Sequence, residues 1–193
     1  MQVCYAPDGA KIVSGSSDGS VRVWDAKSCE CVCTFAPPTA SELSVQSVTF
    51  MPGHSDHLLI CNRSPTVRCP PAAPRWPRGS RPPSASTTSA NIGELMPSQV
   101  YVMTLGGQLV QSFASGRREG GDLVGACLSS QGGWAHCIGE DGHVYEFDVK
   151  EGKLAHLLKV HEKGPIGVTI HPHRNLLATW SDEGVLKLWR ANE

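Results

Sequence analysis

Apolar and polar residues alternate along most of this chain in short runs, and the runs come in groups of four. The first group is Gln2–Ala6, Lys11–Ser16, Ser20–Asp25 and Cys31–Ala36. A second opens with Val45–Pro52 and His57–Ser64. A third holds Leu123–Ser129, Trp134–Gly139, His143–Asp148 and Lys153–Val160. A fourth has Ile166–His171, Leu176–Ser181 and Val185–Arg190, without a fourth run. A period of two over four to eight residues is the pattern of a strand with one face toward a core. Gly, Asp, Pro and Ser between the runs mark tight turns. The predicted class is all-β.

The groups also repeat one another. Asp18-Gly19 precedes "SVRVW", Asp141-Gly142 precedes "HVYEF" and Glu183-Gly184 precedes "VLKLW". The last two turns are 42 residues apart and the first two 123. A foreign segment explains the long gap. Residues 67–99 carry seven prolines, four arginines and many Ser, Thr and Ala, a composition that cannot form a packed sheet. With those 33 residues set aside, 90 remain, or two units of 45. A period of about 40–45 residues is the spacing of WD40 propeller blades. Such a blade is a four-stranded sheet that buries its faces only by stacking on its neighbours.

The chain resembles the WD40 family, whose naming motif stands here as "VWD" at Val23–Asp25. The resemblance implies a buried hydrogen-bonded set in each blade: a His before the first strand, Ser or Thr on the second, Asp in the turn and Trp on the third. A buried indole N–H and a buried hydroxyl both require partners. The fourth unit offers His161, Thr179 and Trp189, with Glu183 where Asp is usual. The first offers Ser14, Asp18 and Trp24, followed by Asp25, but no preceding His. The third has Asp141 with Phe147 in place of Trp, and the second has neither. A complete set is expected in no unit.

Four stretches narrow the resemblance. "CNRS" (Cys61–Ser64), "SGRREGGD" (Ser115–Asp122), "VHEK" (Val160–Lys163) and "HPHRNLLAT" (His171–Thr179) are similar to the C-terminal blades of the suppressor-of-mec-and-unc (Smu-type) splicing factors. That likeness implies a nuclear protein with a seven-bladed propeller and a LisH-type dimerisation region. It also implies pre-mRNA splicing alongside a partner rich in Arg-Glu and Arg-Asp dipeptides. About four blades in an open arc are expected here, corresponding to the last half of such a protein.

Composition adds limits. A net charge of −1 gives no basic field, and no direct sequence-specific nucleic-acid binding is expected. No run of about 18 apolar residues calls for a membrane, and the first residues carry no signal-peptide pattern. The eight cysteines are expected to be reduced thiols. Candidate chemistry is thin. "GSSDG" (Gly15–Gly19) matches a nucleophile elbow, but alternating strand periodicity follows it where a helix is required. Cys29, Cys31 and Cys33 on one extended strand would stand about 6.5–7 Å apart, too far to share a zinc ion. His161 and His171–His173 lack further ligands at metal spacing. No enzyme activity, cofactor or metal is expected.

The candidate site is a protein-binding rim. Loops carry function where strands are occupied with packing. Arg63, Arg117, Arg118, Glu119, Asp122, His161, Glu162 and Lys163 fall in turns expected on one face. Arg suits bidentate contact with the carboxylates of an acidic-basic dipeptide-rich partner. The rival reading is a substrate receptor of a cullin-type ubiquitin ligase. It rests on "WDAK" (Trp24–Lys27), where that motif ends in Arg; Lys does not replace Arg at a shaped site.

The expected organisation is 1–66 for the first blade and the start of the second, 67–99 as a disordered insertion, and 100–193 for the rest. Two origins for the insertion stand. One is a retained intron: Val67 requires a codon beginning GT, Gln99 accepts CAG, and 33 whole codons keep the frame. Rejoined, the chain would read "SPTVYVMTLGGQLV", a strand, a turn and a strand. The other is a genuine insertion at the blade's edge. Amplifying the transcript across Thr66 and Val100 decides between them. A second product shorter by 99 nucleotides is expected from a retained intron, and the long product alone in every tissue from a genuine insertion.

Overall fold

The computed structural model describes residues 2–38, 44–63, 99–114 and 122–190. These form fifteen strands in four antiparallel meanders. The first sheet contains β1 (Gln2–Tyr5), β2 (Lys11–Gly15), β3 (Val21–Asp25) and β4 (Cys31–Phe35). The second contains β5 (Ser44–Phe50), β6 (His57–Arg63), β7 (Gln99–Thr104) and β8 (Leu109–Ala114). The third contains β9 (Leu123–Leu128), β10 (Trp134–Gly139), β11 (His143–Asp148) and β12 (Lys153–Lys159). The fourth contains β13 (Pro165–Ile170), β14 (Leu176–Ser181) and β15 (Leu186–Arg190). The inner strands β1, β5, β9 and β13 pack side by side in chain order.

Three cores lie between the sheets. Val13, Val21 and Val23 of the first sheet meet Val45, Val48, Leu58, Ile60 and Met103 of the second. Leu59, Cys61, Val100 and Phe113 of the second meet Ala135, Cys137, Tyr145 and Phe147 of the third. Cys127, Ile138 and Val144 of the third meet Val168, Leu177 and Trp189 of the fourth. A middle sheet therefore sends alternate residues of one strand to opposite cores: Leu58 and Ile60 one way, Leu59 and Cys61 the other. This explains why β6 reads as a continuous buried apolar run. The outer sheets have one covered face and alternate, as β15 does.

The arc is open. Val3, Tyr5 and Val32 stand exposed on the first sheet, and Ile166, Leu186 and Leu188 on the fourth. Among the described residues the fourth sheet has three strands, leaving the outer edge of β15 unpaired.

Apart from Gln99, the Pro-rich segment lies outside the described residues. Gln99 opens β7, and Val100 is buried opposite Cys61. The segment thus enters the sheet at the first residue of its third strand.

Trp24 is half-buried, because it lines a hollow of about 330 Å³ on the open face with Val3, Ile12, Ser14, Asp25 and Cys29. Phe147 instead is fully buried, its ring 5.8 Å from that of Phe113. Phe147→Ala is therefore expected to destabilise the fold by about 3–5 kcal/mol, and Trp24→Ala by about 1–2 kcal/mol because part of its area already meets water. Urea unfolding of the two variants measures the order.

Candidate functional site

Meander topology brings two kinds of connection to one rim. The links β2–β3, β10–β11 and β14–β15 meet there the β12–β13 link and the described ends of β5 and β9. Backbone bonds fasten them together. The Val45 amide donates to the Ser16 carbonyl, that of Glu140 to Asp122, and that of Asp182 to Gly164. The Gly142 carbonyl accepts from both Val160 and His161. Gly142 has φ +78°, and a Cβ there would overlap the His161 carbonyl, so the position requires glycine.

The turn residues are largely committed to this rim. Asp18 accepts from the Ser20 hydroxyl at 2.6 Å and the Ser20 amide at 2.9 Å, with Arg22 3.5 Å away. The Ser20 hydroxyl, then its amide, then the Ser16 hydroxyl hold the Asp18 carboxyl down to about 2. Asp141 accepts from the Tyr145 hydroxyl at 2.7 Å and from the His143 amide. Glu183 is exposed.

Among the described residues the buried hydrogen-bonded set is complete in no unit, but three of its members meet in the fourth. Thr179 is fully buried, its hydroxyl oxygen 2.9 Å from His161 Nε2, and it accepts the Trp189 indole N–H at 2.9 Å. In the first unit Trp24 donates to Ser14 at 3.0 Å. In the second the corresponding positions are the apolar Ile60 and Met103. In the third they are Cys137 and the buried ring of Phe147, and Tyr145 becomes the partner of the turn aspartate.

The candidate partner-binding residues divide. Arg63, at the end of β6, reaches the third sheet: its Nε lies 3.5 Å from Asp122, and its guanidinium pairs with Glu140 in the β10–β11 turn. Arg63 and Asp122 thus serve as a clasp between two sheets, a role sequence reading missed. His161 is buried, its ring turned into the fold. Glu162 and Lys163 are exposed at the rim. Arg117, Arg118 and Glu119 lie outside the described residues, in the connection between β8 and β9.

The rejected chemistry has clear places. β3 follows "GSSDG", so no helix completes an elbow. Cys29 has φ 59°, and Cys31 and Cys33 lie on β4. His171 Nδ1 accepts the His173 amide at 3.1 Å, as a turn-forming side chain. Burial raises the Cys61 and Cys127 thiols to about 12 and also lifts that of Cys137 well above its ordinary value, so none of the three is a nucleophile. Asp25 accepts from the amides of Lys27 and Ser28, placing "WDAK" across the end of β3 and the turn that leads to β4, on the opposite rim. No helix among the described residues is long and apolar enough to cross a membrane.

The family model "WD domain, G-beta repeat" matches residues 1–25. The chain is 27% identical over 192 residues to "WD40 repeat-containing protein smu1" of Dictyostelium discoideum, covering 98% of this chain and 30% of that protein. It is 40% identical over 65 residues to "Striatin-4" of Homo sapiens, covering 32% of this chain and 8% of that protein. The chain thus spans under a third of the length of either relative. It is an open arc of WD40-type blades and resembles the Smu-type proteins.

Thr179→Val keeps the shape of the residue but removes the acceptor for Trp189 and the partner of His161. A loss of about 1–3 kcal/mol is expected from the polar groups left unpaired. Ser14→Ala, at half-exposed Trp24, should cost less, because water can replace the hydroxyl. Thermal melting of the two variants checks the difference.

Proposed function

We propose that this chain is a non-enzymatic protein-interaction scaffold of a nuclear, spliceosome-associated factor acting in pre-mRNA splicing. The observation that carries the reading is the similarity to smu1 along 98% of the chain. The Smu-type resemblance supplies the splicing role and the partner class. The geometry supports the scaffold part: strands are consumed in three cores, and the rim carries the turns that can meet a partner.

The binding face is the loop with Arg117, Arg118 and Glu119, together with Glu162 and Lys163. Arg63, Asp122 and His161 belong to the same rim, the first two paired with each other and His161 held by Thr179. The partner is a protein rich in Arg-Glu and Arg-Asp dipeptides, whose carboxylates Arg117 and Arg118 would grip bidentately. Replacing both arginines with glutamate turns that attraction into repulsion.

Affinity capture from nuclear extract followed by mass spectrometry tests the assignment. Spliceosomal proteins are the expected catch, and a cullin adaptor without them would overturn it. R117E/R118E is expected to lose most of the catch with an unchanged circular dichroism spectrum. Capture at the wild-type level would remove the loop from the interface.

A further inference from the structure

We propose that the turn joining β5 to β6 is a binding site for a divalent transition-metal ion of the zinc class, held by His54, Asp56 and His57. One ligand atom from each of the three lies within 4.8 Å of the others. Asp56 Oδ1 and His57 Nδ1 are 2.7 Å apart, and the rings of His54 and His57 meet edge-on with centroids at 5.1 Å. Ligands of one tetrahedral zinc ion, each about 2.0–2.2 Å from the metal, stand about 3.3 Å from one another. Small rotations of these side chains reach that spacing. The ion would take the place of the proton that now joins Asp56 to His57.

The backbone holds the three ligands before any metal arrives. The His54 amide donates to the Met51 carbonyl at 3.1 Å, the Met51 amide to the His57 carbonyl at 2.9 Å, and the Leu105 amide to the Asp56 carbonyl at 2.8 Å. Gly53, at φ +78°, makes the turn. The loop is thus fastened to both β6 and the end of β7, so binding orders little more than three side chains. Two imidazoles and a carboxylate suit zinc, copper or nickel, whereas calcium and magnesium take oxygen ligands. Three protein ligands leave a coordination position open to water or to a ligand from a partner.

The second histidine pair offers a contrast. His171 spends its Nδ1 on the His173 amide, and no third donor joins them among the described residues. Among the described residues the exposed thiols Cys29 and Cys31 are the competing zinc donors.

Calorimetric titration of the full chain with zinc chloride, and absorption titration with cobalt, test the proposal. One ion per chain is expected, with a cobalt d–d band but no thiolate charge-transfer band. His54→Ala changes an exposed residue outside the cores, so it should fold normally by circular dichroism. It should weaken binding about tenfold or more, and Asp56→Asn should weaken it too. Cys31→Ser and the pair His171→Ala with His173→Ala should leave binding unchanged. Absence of saturable binding, retention of full affinity in His54→Ala, or loss of binding in Cys31→Ser would each overturn the site.

Discussion

Everything in this molecule depends on one requirement: a sheet of four strands, each four to seven residues long, must cover both faces with other sheets. Meeting it forces close approach. Gly15 leaves no room for a Cβ beside Val45, and Gly125 lies against Gly167. A larger residue at Gly15 would push the first two sheets apart and open the core between them. The same requirement explains the open faces of the first and fourth sheets, where Tyr5 and Leu186 stand exposed. Isolated exposed apolar residues are ordinary, but a whole sheet face of them is a surface that seeks cover.

Polar groups follow a related rule: a buried network works when every member is satisfied, and an apolar replacement is the other stable solution. The fourth unit takes the first course with His161, Thr179 and Trp189. The second takes the other with Ile60 and Met103. The third is intermediate, moving the polar contact outward to Asp141 and Tyr145 while Phe147 fills the core. The unit with fewest family residues is therefore no weaker in packing. It lies between two cores, while the first unit, with its family motif, has Trp24 half-exposed.

Much of this was legible in the sequence because it is local. Alternation placed the strands of the first, third and fourth units to within a residue or so, and the acidic-Gly turns fixed the repeat. Burial of Trp24 was not legible, since it depends on what stands beyond the first sheet. The clasp of Arg63 on Glu140 joins residues 77 positions apart, and no spacing rule announces it. Tyr145 was read only as part of a strand, yet its hydroxyl reaches the turn two pairs away. His54, Asp56 and His57 stand close in sequence, but their spacing matches no common metal motif. Only the fold of the turn brings their side chains together.

The clasp also bears on how the rim can carry recognition without risk to the fold. The loop with Arg117 and Arg118 leaves the second sheet after Phe113 and enters the third at Leu123, both almost fully buried. Asp122, at its end, is held by Arg63 and backed by the Glu140 amide. The loop is therefore anchored at one end by Phe113 and at the other by Leu123 and the Arg63–Asp122 pair. The cores on either side are built from residues outside positions 115–121. The proposed partner-binding role of Arg117 and Arg118 would thus rest on a loop whose anchors belong to the stacking of the sheets.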